Sequence, residues 1–343
     1  MTVDYVISAR RASNNEFDDE PGPIRFLRVP ATATTTLPAH AVSGKGDLKS
    51  WVDEAIGLAD GDLNPNSISP RGDILVFIHG YNNSGPDILW RHRRLTQDLT
   101  AEGWRGLVVS FDWPCANNTL NYLEDRSDAA EVAIELVRKC FTLLSEGQAR
   151  GCETNIHLLG HSTGAYVIME AFANAQKDGG LFKSHWRFGQ VAFIGGDIAS
   201  SSLSSAEKWA DPLFQRINRL TNYSNPNDAV LAVSNAKRLG AAPRAGRVGL
   251  PDDSSGKAVN VDCGAYFVTL DPKQSIFCPG ANFTHSWHVG DRLFARDLAM
   301  TLEGAIDRKA IPTRDTIDGK LVLADHPRPS FMGAWNIKES LTP

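Results

Sequence analysis

The 343-residue chain lacks any apolar stretch approaching the roughly 18 residues that a membrane-spanning helix needs, so no membrane span is expected. It also lacks an excess of basic charge. Thirty-five Lys and Arg against 40 Asp and Glu leave a formal net charge of −5, and no Lys/Arg cluster offers a patch for nucleic-acid phosphates. Cysteine is scarce: Cys115, Cys140, Cys152, Cys263 and Cys278 are odd in number and lack metal-ligand spacing. That usage suits reduced thiols in a cytoplasm, with a Cys263–Cys278 bridge left open. The opening Met1-Thr2-Val3-Asp4-Tyr5 has neither a basic start nor an apolar core, so no secretory leader is expected and the expected location is cytoplasmic. No G-x-G-x-x-G follows an apolar run, which argues against a dinucleotide-binding oxidoreductase. An apolar content of 42% and a charged content of 22% are those of an ordinary globular chain.

What is present is an alternation of two periods. Residues 73–78, 106–111, 155–159 and 191–194 are short, continuous apolar runs, as central parallel strands covered on both faces require. Weaker strand patterns lie at 5–9 and 24–29, separated by a polar, Asn/Asp/Glu-rich turn region, and at 217–223, 259–262 and 321–323, with a weak helix pattern at 50–56. Between the strong runs the apolar period changes to that of helices. One starts near Pro86, buries Ile88, His92, Leu95 and Leu99, and closes at Gly103. A second covers 121–147 with a stripe from Ala129 through Val132 and Leu136 to Phe141, and a closing helix covers 290–307. Residues 234–258 are rich in Gly, Pro and Ser and read as a long surface loop. The expected fold is α/β, a doubly wound and mostly parallel sheet. Residues 1–70 form a lead-in with short strands packed on the core, 71–308 a catalytic domain and 309–343 a tail.

The most informative stretch is Gly160-His161-Ser162-Thr163-Gly164, between the 155–159 run and the helix-periodic Ala165 to Phe172. Strand, sharp turn and helix around G-x-S-x-G is the context of a nucleophile elbow. The turn strains the serine backbone and exposes its hydroxyl, and the helix start aims free N–H groups at charge developing beside it. A serine hydroxyl needs a base, and the base needs an orienting carboxylate. In an elbow architecture these follow in the order serine, acid, histidine. Asp228, after the 217–223 strand, is the leading acid and Asp197 the alternate. His285 is the leading base and His288 the alternate. The H-x-x-H spacing of the two histidines also raises a metal site, but no third ligand stands out, so no metal and no cofactor are expected. Backbone N–H groups of Thr163 and Tyr81 are the expected oxyanion donors, each worth roughly 3–4 kcal/mol. His79 reads as a brace of the loop that holds Tyr81.

The segments Phe77-Ile78-His79-Gly80-Tyr81-Asn82-Asn83, Ser110-Phe111-Asp112-Trp113-Pro114 and Gly160 to Gly164 together resemble the α/β-hydrolases. They are most similar to a bacterial branch with an H-G-[YF]-N-N loop and a G/A-H-S-x-G elbow. Gly196-Asp197-Ile198, Tyr223 to Asp228 and Thr284-His285-Ser286-Trp287 are similar to its later blocks, so the resemblance spans roughly 72–307. One departure is Thr163, where many relatives carry Met. The resemblance implies a Ser162–Asp228–His285 triad and serine-hydrolase activity on an α/β-hydrolase sheet. The segment from Ala199 to Asp211 is too short for a large cap, so none is expected, and the expected partner is a small-molecule ester. A carboxylesterase for small or medium acyl esters is the leading expectation. An amidase, thioesterase or acyltransferase with the same triad is the first alternative, and a non-catalytic binding module is the second. Trp113, Tyr122 and Trp287, with the 234–258 loop, are the candidate pocket wall.

Overall fold

The computed structural model describes residues 3–59, 73–115, 122–149, 154–236 and 242–329. Within them runs one ten-stranded sheet in the order β2-β1-β4-β3-β5-β6-β7-β8-β10-β9. Its centre is parallel: β4 (Leu107–Asp112), β3 (Asp73–Ile78), β5 (Asn155–His161), β6 (Phe188–Ile194), β7 (Ile217–Ser224) and β8 (Ala258–Asp262). Every residue of β4 and β6 is buried, as the continuous apolar runs require.

Helices cover both faces, and each covers a separate core. On one face α1 (Gly44–Ala59), α3 (Tyr122–Leu136) and α4 (Thr163–Lys177) bury Trp51, Leu136 and Phe172 against Ile74, Val109 and Leu158. On the other, α2 (Gly85–Ala101) and α6 (Arg292–Glu303) bury Leu95, Leu99, Phe294 and Leu298 against Leu75, Phe77 and Ile194. Alternate residues of one strand therefore feed opposite cores, which is what a doubly wound sheet demands. The α2 signals act as expected: Ser84 caps it by accepting the Asp87 N–H, and Gly103 follows its end at φ 88°. After α3 the helix takes a π turn at Val137–Phe141 before resuming as Thr142–Ala149. Between β6 and β7 lie only a 3₁₀ turn and the six-residue helix Asp211–Arg216, so no large cap domain interrupts the sheet at that connection.

The edges differ from the expectation. β1 (Val3–Ser13) and β2 (Glu16–Pro30) form one long antiparallel hairpin, and β1 pairs in parallel with β4. The charged stretch around residues 10–23, expected as a turn region, is strand. The turn itself is only Asn14-Asn15, at φ 50° and 65°, where asparagine tolerates the left-handed geometry of a tight hairpin. At the other edge β9 (Arg314–Ile317) and β10 (Lys320–Leu323) attach to β8. The loop expected on the surface at 234–258 begins inside α5 (Ala229–Ala236), and its Arg244, Ala245 and Gly246 are buried against the end of β6. The Gly246 N–H donates to the Gly196 carbonyl at 3.0 Å, which anchors it there. Cys115, Cys140, Cys263 and Cys278 are free thiols, so Cys263 and Cys278 are not bridged. Cys152 lies outside the described residues. Among the described residues no helix is long and apolar enough to cross a membrane.

The C-terminal edge is fastened by a buried charge. Arg314 Nε and Nη2 donate to Asp297 Oδ2 and Oδ1 at 2.9 and 2.6 Å, with both side chains 0% exposed. Thr313 Oγ1 and Tyr223 Oη also donate to that carboxylate, at 2.7 and 2.6 Å. Removing one partner of such a pair leaves an unpaired buried charge. Arg314→Met is expected to cost about 3–5 kcal/mol, read as the shift of the guanidinium unfolding midpoint. Arg314→Met/Asp297→Leu should recover part of that loss.

Candidate active site

The turn after β5 puts Ser162 at φ 55°, ψ −121°, outside the regions that a serine backbone favours. Three hydrogen bonds hold it there. Its N–H donates to the Ile194 carbonyl at 3.0 Å, and its carbonyl accepts from the N–H groups of Asp197 and Ala165 at 3.0 and 3.1 Å. The crossing is tight. A Cβ on Gly164 would lie 2.2 Å from the Ile78 carbonyl oxygen, and one on Gly80 would lie 2.6 Å from the Ser162 Cβ. The loop after β3 therefore touches the serine directly. Thr163 begins α4, so its N–H belongs to the first turn, which no helix can satisfy internally.

Asp228 and His285 meet at the same end of the sheet. Asp228 lies in the turn leaving β7, and its Oδ1 accepts the Leu231 N–H at 2.9 Å. His285 sits in the single-turn helix Phe283–Ser286, whose N-cap is Asn282. The His285 Nδ1–H donates to Asp228 Oδ2 at 2.6 Å, with the carboxylate 1% exposed. This fixes the tautomer and leaves Nε2 as the basic nitrogen. Among the described residues Nε2 has no hydrogen-bond partner, so it does not bond the Ser162 hydroxyl in this arrangement. Such bonds often tighten only when substrate is bound. Serine and imidazole both adjoin the Ile194–Gly195 corner. Ser162 bonds the Ile194 carbonyl, and a Cβ on Gly195 would lie 3.0 Å from His285 Cε1. Gly195 has φ 53°, which with that proximity reserves the position for glycine.

His161 has a supporting part that its place in the elbow motif does not announce. Its Nε2–H donates to the His285 carbonyl at 3.0 Å, and the two rings stand 4.8 Å apart. Burial, reinforced by any charge on His285, pushes its pKa well below that of a free imidazole, so it stays a neutral donor. Gly195 and His161 are thus the site residues that motif reading passes over. The Gly195-Gly196-Asp197 at the end of β6 is the nearest sequence signal for Gly195, and the elbow motif itself is that for His161.

The alternates make other contacts. Asp197 Oδ1 accepts from Ser234 Oγ at 3.0 Å and pairs with Arg244 Nε at 3.2 Å. His288 stacks on Trp287 at 4.2 Å and meets the Phe294 ring edge-on at 5.3 Å. Burial and the neighbouring His285 hold its pKa well below the ordinary value. Among the described residues no group of His, Cys, Asp or Glu is arranged to hold a metal.

The loop after β3 is braced from several sides. The His79 Nδ1–H donates to the Gly80 carbonyl at 2.8 Å, and its Nε2 accepts the Trp113 N–H at 3.1 Å. The Trp113 indole donates to the His79 carbonyl at 2.8 Å. Trp113 is 0% exposed and Trp287 1%, so both spend their surface on packing. The Tyr122 side chain lies outside the described residues. Asn83 Nδ2 donates to the carbonyls of Gly80 and Tyr81 at 2.8 and 2.9 Å. A trans peptide points its C=O and N–H in opposite directions, so pinning the Gly80 carbonyl inward turns the Tyr81 N–H outward.

Comparison with known proteins supplies the family. No curated protein matches the sequence significantly. Among solved structures, a metagenomic carboxyl esterase is similar at 14% identity over 71% of this chain and 78% of that one, with a TM-score of 0.34. A cutinase-like protein from Cryptococcus sp. shares 14% identity over 69% and 95%, at 0.31. Trichoderma reesei cutinase shares 13% over 77% and 92%, at 0.30. A family model matches residues 60–259, more than half of the chain. The chain belongs to that family, described as alpha/beta hydrolase of unknown function (DUF900).

Proposed function

We propose that the protein is a serine carboxylesterase acting on small or medium acyl esters through an acyl-enzyme on Ser162. One observation carries the reading. A serine held at φ 55° shares its corner of the sheet with an imidazole whose Nδ1–H is committed to Asp228 and whose Nε2 has no hydrogen-bond partner among the described residues. Strain of this kind persists where the surroundings impose it, and it clusters at reactive positions.

In the first half-reaction Ser162 Oγ attacks the ester carbonyl carbon and its proton passes to His285 Nε2. The tetrahedral oxyanion takes hydrogen bonds from the N–H groups of Tyr81 and Thr163. The C–O bond to the alcohol then breaks, His285 returns the proton to the departing alcohol, and an acyl-serine remains. In the second half a water gives its proton to His285 and attacks the acyl carbon. Collapse releases the carboxylic acid and restores the Ser162 hydroxyl. Asp228 keeps the imidazole in the Nδ1–H tautomer and stabilises its charged form. A serine at the elbow disfavours the chemistries of this architecture that need a carboxylate nucleophile. Amidase, thioesterase and acyltransferase activities use the same groups, and matched ester, amide and thioester substrates with and without an acceptor alcohol separate them.

Ser162→Ala should lower kcat for p-nitrophenyl esters by about 10⁴-fold or more without changing the thermal midpoint, and His285→Ala should do the same. Asp228→Asn should cost about 10⁴-fold through the wrong tautomer. His288→Ala should stay within roughly tenfold of wild type, since that ring only packs. Equal losses at His285 and His288, or a severe loss at Asp197 with a mild one at Asp228, would reassign the roles. Gly195→Ala should push the His285 ring off Asp228. Its strongly deshielded Nδ1 proton, followed by proton NMR, should then move upfield or vanish while His288→Ala retains it.

A further inference from the structure

The N-terminal hairpin lies outside the matched residues 60–259, yet one of its side chains reaches the loop beside Ser162. Arg10 stands between two register shifts in the β1–β2 pairing, at Ser8/Arg10 and Arg10/Ala12. Residues Asp4 to Arg10 are all buried in succession, so the Arg10 side chain lies inside although the pairing shifts on either side of it. Arg10 is 3% exposed, and its guanidinium is used on three sides. Nε donates to Asp112 Oδ1 at 2.6 Å, Nη1 to Asp19 Oδ1 at 2.5 Å, and Nη2 to the Asn83 carbonyl at 2.8 Å.

Asn83 is the last residue of the H-G-Y-N-N loop and the one whose amide grips the Gly80 and Tyr81 carbonyls. Its own side chain is held in turn, with Oδ1 accepting from Arg91 Nε at 2.9 Å. A continuous path therefore runs from Arg10 to the Asn83 carbonyl, through the Asn83 amide to the Gly80 carbonyl, and across that peptide to the Tyr81 N–H. We propose that Arg10 is a positioning residue for the oxyanion hole, aiming the Tyr81 N–H through Asn83 from a strand outside the matched family region. The inference rests on the serine-hydrolase reading of the site. It explains why a costly charge is buried here. Burial pushes the Asp112 carboxyl up, but the adjoining Arg10 guanidinium more than reverses this and leaves it below the usual carboxylate range. Lysine could not replace the arginine, because a point ammonium lacks the rigid fork that serves a carboxylate and a carbonyl at once.

The test measures kcat and KM for a p-nitrophenyl ester, with active sites counted from the p-nitrophenol burst. The variants are Arg10→Lys, Arg10→Ala and Arg10→Met/Asp112→Asn. The double variant removes both charges, so it keeps the question answerable if the single variants fold poorly. Arg11→Met, which breaks only an exposed pair with Asp18, is the control. The expected result is a fall in kcat per active site of roughly 10- to 100-fold with KM within about threefold, since a displaced oxyanion donor acts on the transition state. Added guanidinium at sub-denaturing concentration should restore part of the kcat of Arg10→Ala and leave that of Arg11→Met unchanged. Variants that lose thermal stability or active fraction but keep wild-type kcat per active site would make Arg10 a structural brace alone and overturn the proposal. A folded wild-type protein that turns over no ester overturns the underlying reading instead, and this inference with it.

Discussion

The backbone of Ser162 is the constraint on which the rest of the molecule depends. A non-glycine residue in such a conformation costs on the order of 1–3 kcal/mol and must be held by its surroundings. Here the N–H is held by the Ile194 carbonyl, and the carbonyl is held by Asp197 and by the start of α4. Those partners exist because β5 and β6 are adjacent, parallel and buried on both faces. The two separate cores, one on each face of the sheet, fix that adjacency. Local strain at the rim is thus balanced by apolar burial in the middle, where no single residue has to be unusual.

The groups around the serine repeat one arrangement, in which each reactive or donating atom is fixed by occupying the opposite end of the same group. His285 has its Nδ1–H on Asp228, which leaves Nε2 basic. The Gly80 carbonyl is taken by His79 and Asn83, which turns the next N–H outward. His161, kept neutral by burial, holds the His285 backbone through its Nε2–H. Buried ion pairs at the two sheet edges extend this logic to the flanking segments. Arg314–Asp297 fastens the C-terminal strands to α6, and Arg10–Asp112 fastens the N-terminal hairpin to β4 and the loop after β3. Buried charges are a costly way to gain stability, and their value lies in directional fixing.

Much of this is legible in the sequence, for identifiable reasons. Continuous apolar runs mark strands buried on both faces, and the change of period around Ala165 marks α4, so the sheet and the elbow can be read directly. Asp228 and His285 can be named as a candidate pair because elbow chemistry demands an acid and a base in a given chain order, and the two are hydrogen-bonded. The hairpin arms are harder to read, since Arg10, Arg11, Asp18 and Asp19 look like turn residues until cross-strand pairing neutralises them. Arg244, Ala245 and Gly246 sit in a Gly/Pro-rich stretch that composition assigns to the surface, while a hydrogen bond to Gly196 buries them. Trp113 and Trp287 look like pocket aromatics until their burial shows them packed inside. These misses are long-range contacts, which local pattern does not encode.

The central claim is that Ser162 is a nucleophile activated by its surroundings. Mass spectrometry of the folded protein after exposure to an alkyl fluorophosphonate tests it most directly. The account predicts one covalent adduct, on the peptide that contains Ser162, absent when the protein is unfolded before exposure. A folded protein that remains unmodified, or that carries its adduct on another residue, would contradict it.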